Sequence, residues 1–201
     1  MIVRSGARGF GIPRREFIEW QMTYSTTIVV PHLLTERLVM RAFTERDAEP
    51  YITMMTDPEV ARFLGDGRPL AALDAWRQMA MFAGHWALRG FGMWAVEERA
   101  SGALVGRVGL HEPPGWPGFE LGYALGRRWW GRGYAREAGV AALAYARETL
   151  GRDEIISVIR PDNARSIAVA TALGATRAES IEFFSGTSVI YRYPRSTTRR
   201  R

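Results

Sequence analysis

The chain has no cysteine, only three histidines and no long apolar run, and each shortage removes a class of chemistry. Without cysteine there is no disulfide, no thiolate metal site and no cysteine nucleophile. The histidines and acids show no metal-ligand spacing, so no bound metal is expected. No apolar stretch approaches the roughly 20 residues that span a bilayer. Arginines interrupt residues 1–20, unlike a secretory signal. What remains fits a cytoplasmic protein of 201 residues, 47% of them hydrophobic, with enough chain for one full-sized core.

The net charge is +6 and unevenly placed. Four arginines lie within the first fifteen residues and four more from Arg195 to Arg201. Without these the chain is close to neutral. Basic ends mark solvated termini more often than nucleic-acid contact, and the first reading is preferred. Residues 1–32 are expected to be a flexible extension, 33–195 one domain and 196–201 a basic tail. No period is visible before Met22, which is a second candidate start.

Apolar patterning places a first strand at Leu38-Val39-Met40-Arg41. Thr44-Glu45-Arg46-Asp47 offers capping chemistry for a helix to about Met55, and Asp57-Pro58-Glu59 restarts the chain with proline in a first turn. Another helix runs from about Leu73 to Leu88 and ends before Gly90. Met93 to Glu98 and Ala103 to His111 read as strands around a Ser101-Gly102 hairpin signal. Pro113 to Gly118 is a loop. Phe119 to Leu125 then alternates, with Phe119, Leu121, Tyr123 and Leu125 on a bulky face. Glu120, Gly122, Ala124 and Gly126 form a small face that leaves room for a ligand.

The next helix, Tyr134 to Leu150, keeps Arg136, Glu137, Arg147 and Glu148 within one arc of roughly 120° at about 100° per residue. Burial on most other sides is expected. Ile155 to Ile159 reads as a central strand. Pro161-Asp162-Asn163 starts a helix to Leu173, ended by Gly174. Strand patterns around Ile181–Phe184 and Val189–Tyr193 flank Ser185-Gly186-Thr187. This order predicts one α/β (α+β) domain.

Arg128-Trp129-Trp130-Gly131-Arg132-Gly133-Tyr134-Ala135, between strand and helix, is the most informative stretch. Two glycines one residue apart let the backbone turn tightly and bring its N–H groups close to a ligand. The following helix points its partly positive N-terminus at the same place. Arg127, Arg128, Arg132 and Arg136 add charge around it. A pyrophosphate-bearing cofactor requires such a loop; an ordinary strand-to-helix turn can look the same.

The spacing Arg128-x-x-Gly131-x-Gly133 resembles the acetyl-coenzyme A signature of the GNAT acetyltransferases. A second family motif appears as Asn163-Ala164-Arg165-Ser166 followed by Ala172-Leu173-Gly174-Ala175. With both in place, the element order is similar to the GNAT fold over nearly all of residues 33–195, a mixed, mainly antiparallel sheet flanked by helices. Thr35-Glu36-Arg37-Leu38, Asp57-Pro58-Glu59-Val60, Gly106-Arg107-Val108-Gly109-Leu110, Glu120-Leu121-Gly122-Tyr123 and Trp130-Gly131-Arg132-Gly133-Tyr134-Ala135 resemble the branch that includes the ribosomal-protein N-terminal acetyltransferases.

The resemblance implies acetyl-CoA as co-substrate and a primary amine as acceptor, either a small molecule or a protein N-terminus. It lays the pantetheine arm along Tyr123–Leu125 and the pyrophosphate on the N–H groups of Arg128 to Tyr134. It gives Asn163 a contact with the arm, beside its ordinary use as a helix N-cap. It implies direct attack of a neutral amine on the thioester, with the backbone N–H near Leu125 as oxyanion donor. Many members place a tyrosine seven residues after the motif asparagine to protonate the thiolate. Here that position is Ala170. Ser166 stands where the ribosomal-protein branch uses a serine.

Three options supply the base. Glu120, on the small face at the start of its strand, leads. His111, across the adjoining loop, has an ordinary pKa near 6.5. A water chain needs neither. Trp116 and its loop border the expected acceptor site, whereas Trp129 and Trp130 pack beneath the turn. His32 and His85 show no partners in the sequence. The loops expected to select the acceptor carry no recognisable code. A homodimer through the late strands stays open. The rival reading is a non-catalytic module that senses acyl-CoA or contacts nucleic acid, which intact glycines without a tyrosine at 170 would suit.

Overall fold

Eight strands form one sheet in the computed structural model, which describes residues 28–184 and 186–196. The expected extension before residue 28 (including Met22), Ser185 and the basic tail beyond residue 196 lie outside the described residues. The strands are β1 (Leu33–Leu34), β2 (Leu38–Arg41), β3 (Met93–Glu98), β4 (Leu104–His111), β5 (Glu120–Leu125), β6 (Ile156–Ile159), β7 (Thr176–Phe183) and β8 (Gly186–Arg192). They lie in the order β1-β2-β3-β4-β5-β6-β8-β7. Every neighbouring pair is antiparallel except β5 and β6. The expected mixed, mainly antiparallel sheet with flanking helices is the observed architecture.

Period-two alternation decides which helices cover which face. Trp94 and Val96 of β3 pack with Leu121 and Leu125 of β5 beneath α4 (Tyr134–Glu148). Met93 and Ala95 turn to the opposite face, where α1 (Ala48–Met55), α2 (Pro58–Ala61) and α3 (Ala72–Arg89) supply Tyr51, Met54, Val60, Met79 and Phe82. The fifth helix, α5 (Ala164–Ala172), packs beside α4 and β6. Local chemistry fixes the helix starts. The Asp57 carboxylate accepts the Glu59 N–H at 2.9 Å and Pro58 opens α2, as the sequence predicts.

Three details differ from the sequence reading. The two-residue strand β1 precedes the strand expected to be first. Strand β7 begins at Thr176, well before Ile181, because its first residues are mostly exposed and polar and give no apolar signal. Helix α4 is less enclosed than its composition suggests, with Val140 54% exposed. Small apolar residues made that face look buried although nothing among the described residues covers Val140.

The sheet forks between β5 and β6. The two strands register only at Glu120 and Ile156, where the Ile156 N–H donates to the Phe119 carbonyl. Beyond that point side chains replace the backbone ladder. Ser157 Oγ donates to the Leu121 carbonyl at 2.6 Å, and the Val158 N–H donates to Glu120 Oε1 at 3.1 Å. Buried backbone groups freed by the parting strands are thereby satisfied, which lets the fork exist.

Candidate active site

The edge of β5 that faces the fork can be read from hydrogen-bond alternation. The Gly126 N–H donates to the Val105 carbonyl at 2.9 Å, and the β4–β5 register is unbroken. In an antiparallel pair every second residue turns its N–H and C=O outward. Tyr123 and Leu125 therefore direct their backbone groups into the gap beside β6. The Leu125 carbonyl is already occupied by Trp130 Nε1 at 2.8 Å.

Directly after β5, the chain makes a single 3-10 turn and enters the glycine loop. Gly131 and Gly133 adopt φ of +75° and +79°, where any other residue is strained. Among the described residues, the N–H groups of positions 131–136 find no acceptor. Glu137 anchors the loop from below, accepting from Thr35 Oγ1 at 2.6 Å and from the Arg37 N–H at 2.8 Å. The Arg37 guanidinium then donates to the Arg132 carbonyl at 3.0 Å.

A cavity of about 350 Å³ opens above this loop, lined by Tyr123, Leu125, Trp130, Gly131, Ala135 and Asn163 among others. Orphan N–H groups and a glycine whose Cβ direction is empty to 4 Å fit a diphosphate. The outward edge of β5 fits an amide-bearing arm laid beside it. The arginines divide. Arg136 and Arg165 line the cavity, and Arg165 stacks on Trp130 with its guanidinium 4.4 Å from the ring centre. Arg127 instead faces Asp57 at 3.6 Å, and Arg128 and Arg132 lie over the Trp129 ring. Tyr134 also lines the cavity, while its hydroxyl donates to Glu98.

A second cavity of about 430 Å³ lies on the other side of the fork. It shares Tyr123, Asn163, Ser166, Phe63 and Leu64 with the first, so the two meet there. Glu120 lies buried in its wall. Its second oxygen accepts from Trp116 Nε1 at 2.6 Å, so the expected loop tryptophan grips the expected base. Burial pushes the Glu120 carboxyl above its ordinary range, against the hydrogen bonds from Val158 and Trp116.

His111 pairs with Glu120 across β4 and β5 and packs edge-on against Trp116, ring centres 4.7 Å apart. Burial, then the neighbouring His85 and Arg107, lower its pKa to about 3. His85 has partners the sequence does not reveal. Its Nδ1 lies 2.6 Å from the Phe91 carbonyl and must donate, which leaves Nε2 to accept from the Glu112 N–H at 3.5 Å. Both imidazoles are held neutral, and His85 is structural.

At the junction, Asn163 caps α5 by accepting from the Ser166 N–H at 3.2 Å, and its amide NH2 has no partner among the described residues. Tyr123 donates its hydroxyl to the Ser166 carbonyl at 2.9 Å, and Ser166 Oγ donates to the Tyr123 oxygen at 3.0 Å. Burial pushes the Tyr123 phenol strongly upward. Ala170 is fully buried against the core. The phenol at this junction therefore comes from β5, not from α5. Sequence reasoning placed Tyr123 beside the arm by its backbone but missed its hydroxyl, because a tyrosine on a bulky strand face reads as core. The small face of β5 is only partly open, since a Cβ on Gly122 would lie 2.6 Å from the Met93 methyl.

Comparison with known proteins gives the family and the fold. The family profile described as "Acetyltransferase (GNAT) domain" matches residues 37–176. The Bacillus subtilis protein YkkB is 28% identical over 167 residues, covering 79% of this chain and 93% of its own. YoaA of the same organism, named an uncharacterized N-acetyltransferase, is 28% identical over 145 residues, covering 72% and 82%. Among solved structures, an acetyltransferase from Agrobacterium tumefaciens superposes with a TM-score of 0.74 at 30% identity, covering 85% of this chain and 98% of that one.

Proposed function

Because this chain belongs to the GNAT acetyltransferase family, we propose that it moves the acetyl group of acetyl-CoA directly to a primary amine, of a small molecule or of a protein N-terminus. One observation carries the reading: two cavities meet at Tyr123, Asn163 and Ser166, beside a strand edge freed by the fork. A co-substrate lying in one cavity and an acceptor in the other would touch only there. Ser166, with alanine at position 170, supports a place near the ribosomal-protein N-terminal acetyltransferases.

When bound, acetyl-CoA supplies the thioester carbonyl that the amine attacks. The N–H groups of positions 131–136 hold the diphosphate, with Arg136 and Arg165 beside it. The outward edge of Tyr123 and Leu125 holds the amide arm, and the Leu125 N–H donates to the acyl oxygen. The Asn163 amide NH2 is a further donor for the arm. Glu120 takes the proton that the amine loses as its bond to carbon forms. As the carbon–sulfur bond breaks, the sulfur gains a proton from the Tyr123–Ser166 relay, which the solvent refills. One proton leaves nitrogen and one reaches sulfur, so the exchange balances.

Calorimetric titration with acetyl-CoA tests the co-substrate site, using Gly131→Val as control. Valine at a positive φ costs about 1–2 kcal/mol, so the variant stays folded. No internal clash awaits its Cβ. Wild type should bind at about micromolar levels and the variant at least about tenfold more weakly. Absence of heat from folded wild type at millimolar acetyl-CoA would refute the proposal.

A further inference from the structure

Two arginines are buried among the described residues, and they are satisfied very differently. The Arg41 guanidinium donates to both oxygens of Asp47 at 2.7 and 2.8 Å and to Glu97 at 2.9 Å. Arg107, 8% exposed, meets no carboxylate among the described residues. Among them its Nε has no hydrogen-bond partner, and its Nη1 reaches only the Met93 sulfur, at 3.9 Å. The guanidinium lies 4.7 Å from the centre of the Phe82 ring, close to the Tyr51 hydroxyl. A buried cation without a counter-ion is costly. Glu120 feels its charge but makes no ion pair with it, and its two oxygens take the Trp116 and Val158 donors instead.

The cation lines the second cavity, on the same sheet face as Glu120. Arg107 pairs with Ala124 and His111 with Glu120, and the pair between them is Gly109 with Gly122. Two glycines thus separate a cationic end from an anionic end, with the Met93 methyl lying over Gly122 between them. Phe82, Met81, Trp116 and Phe183 wall the space with apolar surface. An acceptor that matches it carries an anion on one side, an amine on the other and an apolar body.

We propose that Arg107 determines acceptor specificity by binding a carboxylate, and that the acceptor is a free amino acid with an apolar or aromatic side chain. Its amine lies toward Glu120 and the fork, and its carboxylate completes the ion pair that Arg107 lacks. This rests on the acetyltransferase reading and narrows it: a protein N-terminus offers the amine without the carboxylate.

Matched acceptors test it through acetyl-CoA-dependent thiol release. Phenylalanine is compared with phenylalaninamide and phenethylamine, and leucine with leucinamide and isopentylamine. Wild type should favour each acid over the partners that lack its carboxylate by about 10- to 100-fold in kcat/KM, the worth of one charged hydrogen-bonded contact. In Arg107→Met that ratio should collapse toward one, chiefly through KM for the acid. The acids should raise the melting temperature of wild type and not of the variant. The wild-type ratios stand as a test even if the variant fails to fold.

Equal turnover of acids and amides, or a ratio unchanged by Arg107→Met, overturns the inference and leaves the acetyltransferase reading intact. So does wild type that binds acetyl-CoA and acetylates none of the acids. Failure to bind acetyl-CoA overturns the parent reading instead.

Discussion

A carboxyl group buried where two strands part resists ionisation, and the donors from Trp116 and Val158 only partly offset that resistance. A base must be ionised to work, so activity should fall as pH drops through the raised Glu120 value. We expect the acidic limb of the wild-type kcat/KM profile above the ordinary glutamate value of about 4.3. Glu120→Gln keeps an oxygen for the Val158 N–H but cannot take a proton. Its kcat should drop by about 10²- to 10⁴-fold, and the limb should vanish. Steady-state kinetics across pH decides this, and a limb that survives in the variant would belong to another group. The place of Glu120 in the cavity wall was legible in the sequence because its strand face and its loop both pointed to it. Arg107 was not, because a lone arginine in a strand says nothing about whether a partner lies opposite. The Tyr123 hydroxyl stayed hidden for a related reason: its partner, the Ser166 carbonyl, lies 43 positions away in sequence.

At the scale of elements, the strands and helices were readable wherever apolar period and capping chemistry agreed, as at Asp57-Pro58 and Asn163. The glycine turn was readable because positive φ at two nearby positions has few sequence solutions. The fork was not readable. Ile155–Ile159 announces a buried strand, but nothing local states how far it stays paired with β5. The device that ends the pairing is Ser157, whose Oγ caps the Leu121 carbonyl and also meets the Tyr193 hydroxyl at 3.0 Å. Ser157→Ala leaves both without that partner in a buried place. The loss of about 1–2 kcal/mol should lower the melting temperature by about 2–8 °C. Acetyl-CoA affinity should fall with it, since the strand edge that receives the arm loses its brace. Calorimetric melting and titration on one sample test both, and an unchanged melting temperature would show that the fork needs no cap.

For the whole molecule, the paired imidazoles make folding sensitive to acid. His111 titrates at about 3 in the fold against about 6.5 when exposed, so between those values the unfolded chain binds the proton and the native chain does not. Stability from this residue is therefore complete above about pH 6.5 and is lost as pH falls toward 3. By pH 5 the loss is about 2 kcal/mol. Glu120 acts in the opposite sense over part of the same range, since its raised value makes acidification favourable. The lowered carboxyls of Asp47 and Glu137, held by Arg41, Arg37 and their hydroxyl and backbone donors against burial, lose their stabilising charge at still lower pH. Wild type alone would blur these contributions, so a difference is needed. His111→Phe keeps a ring for its contacts with Trp116 and Phe82 while removing the titration. Urea unfolding at pH 7.5 and pH 5 should show wild type losing about 2 kcal/mol more than the variant. Parallel losses in the two proteins would mean that His111 opens to solvent, and takes its proton, before the fold gives way.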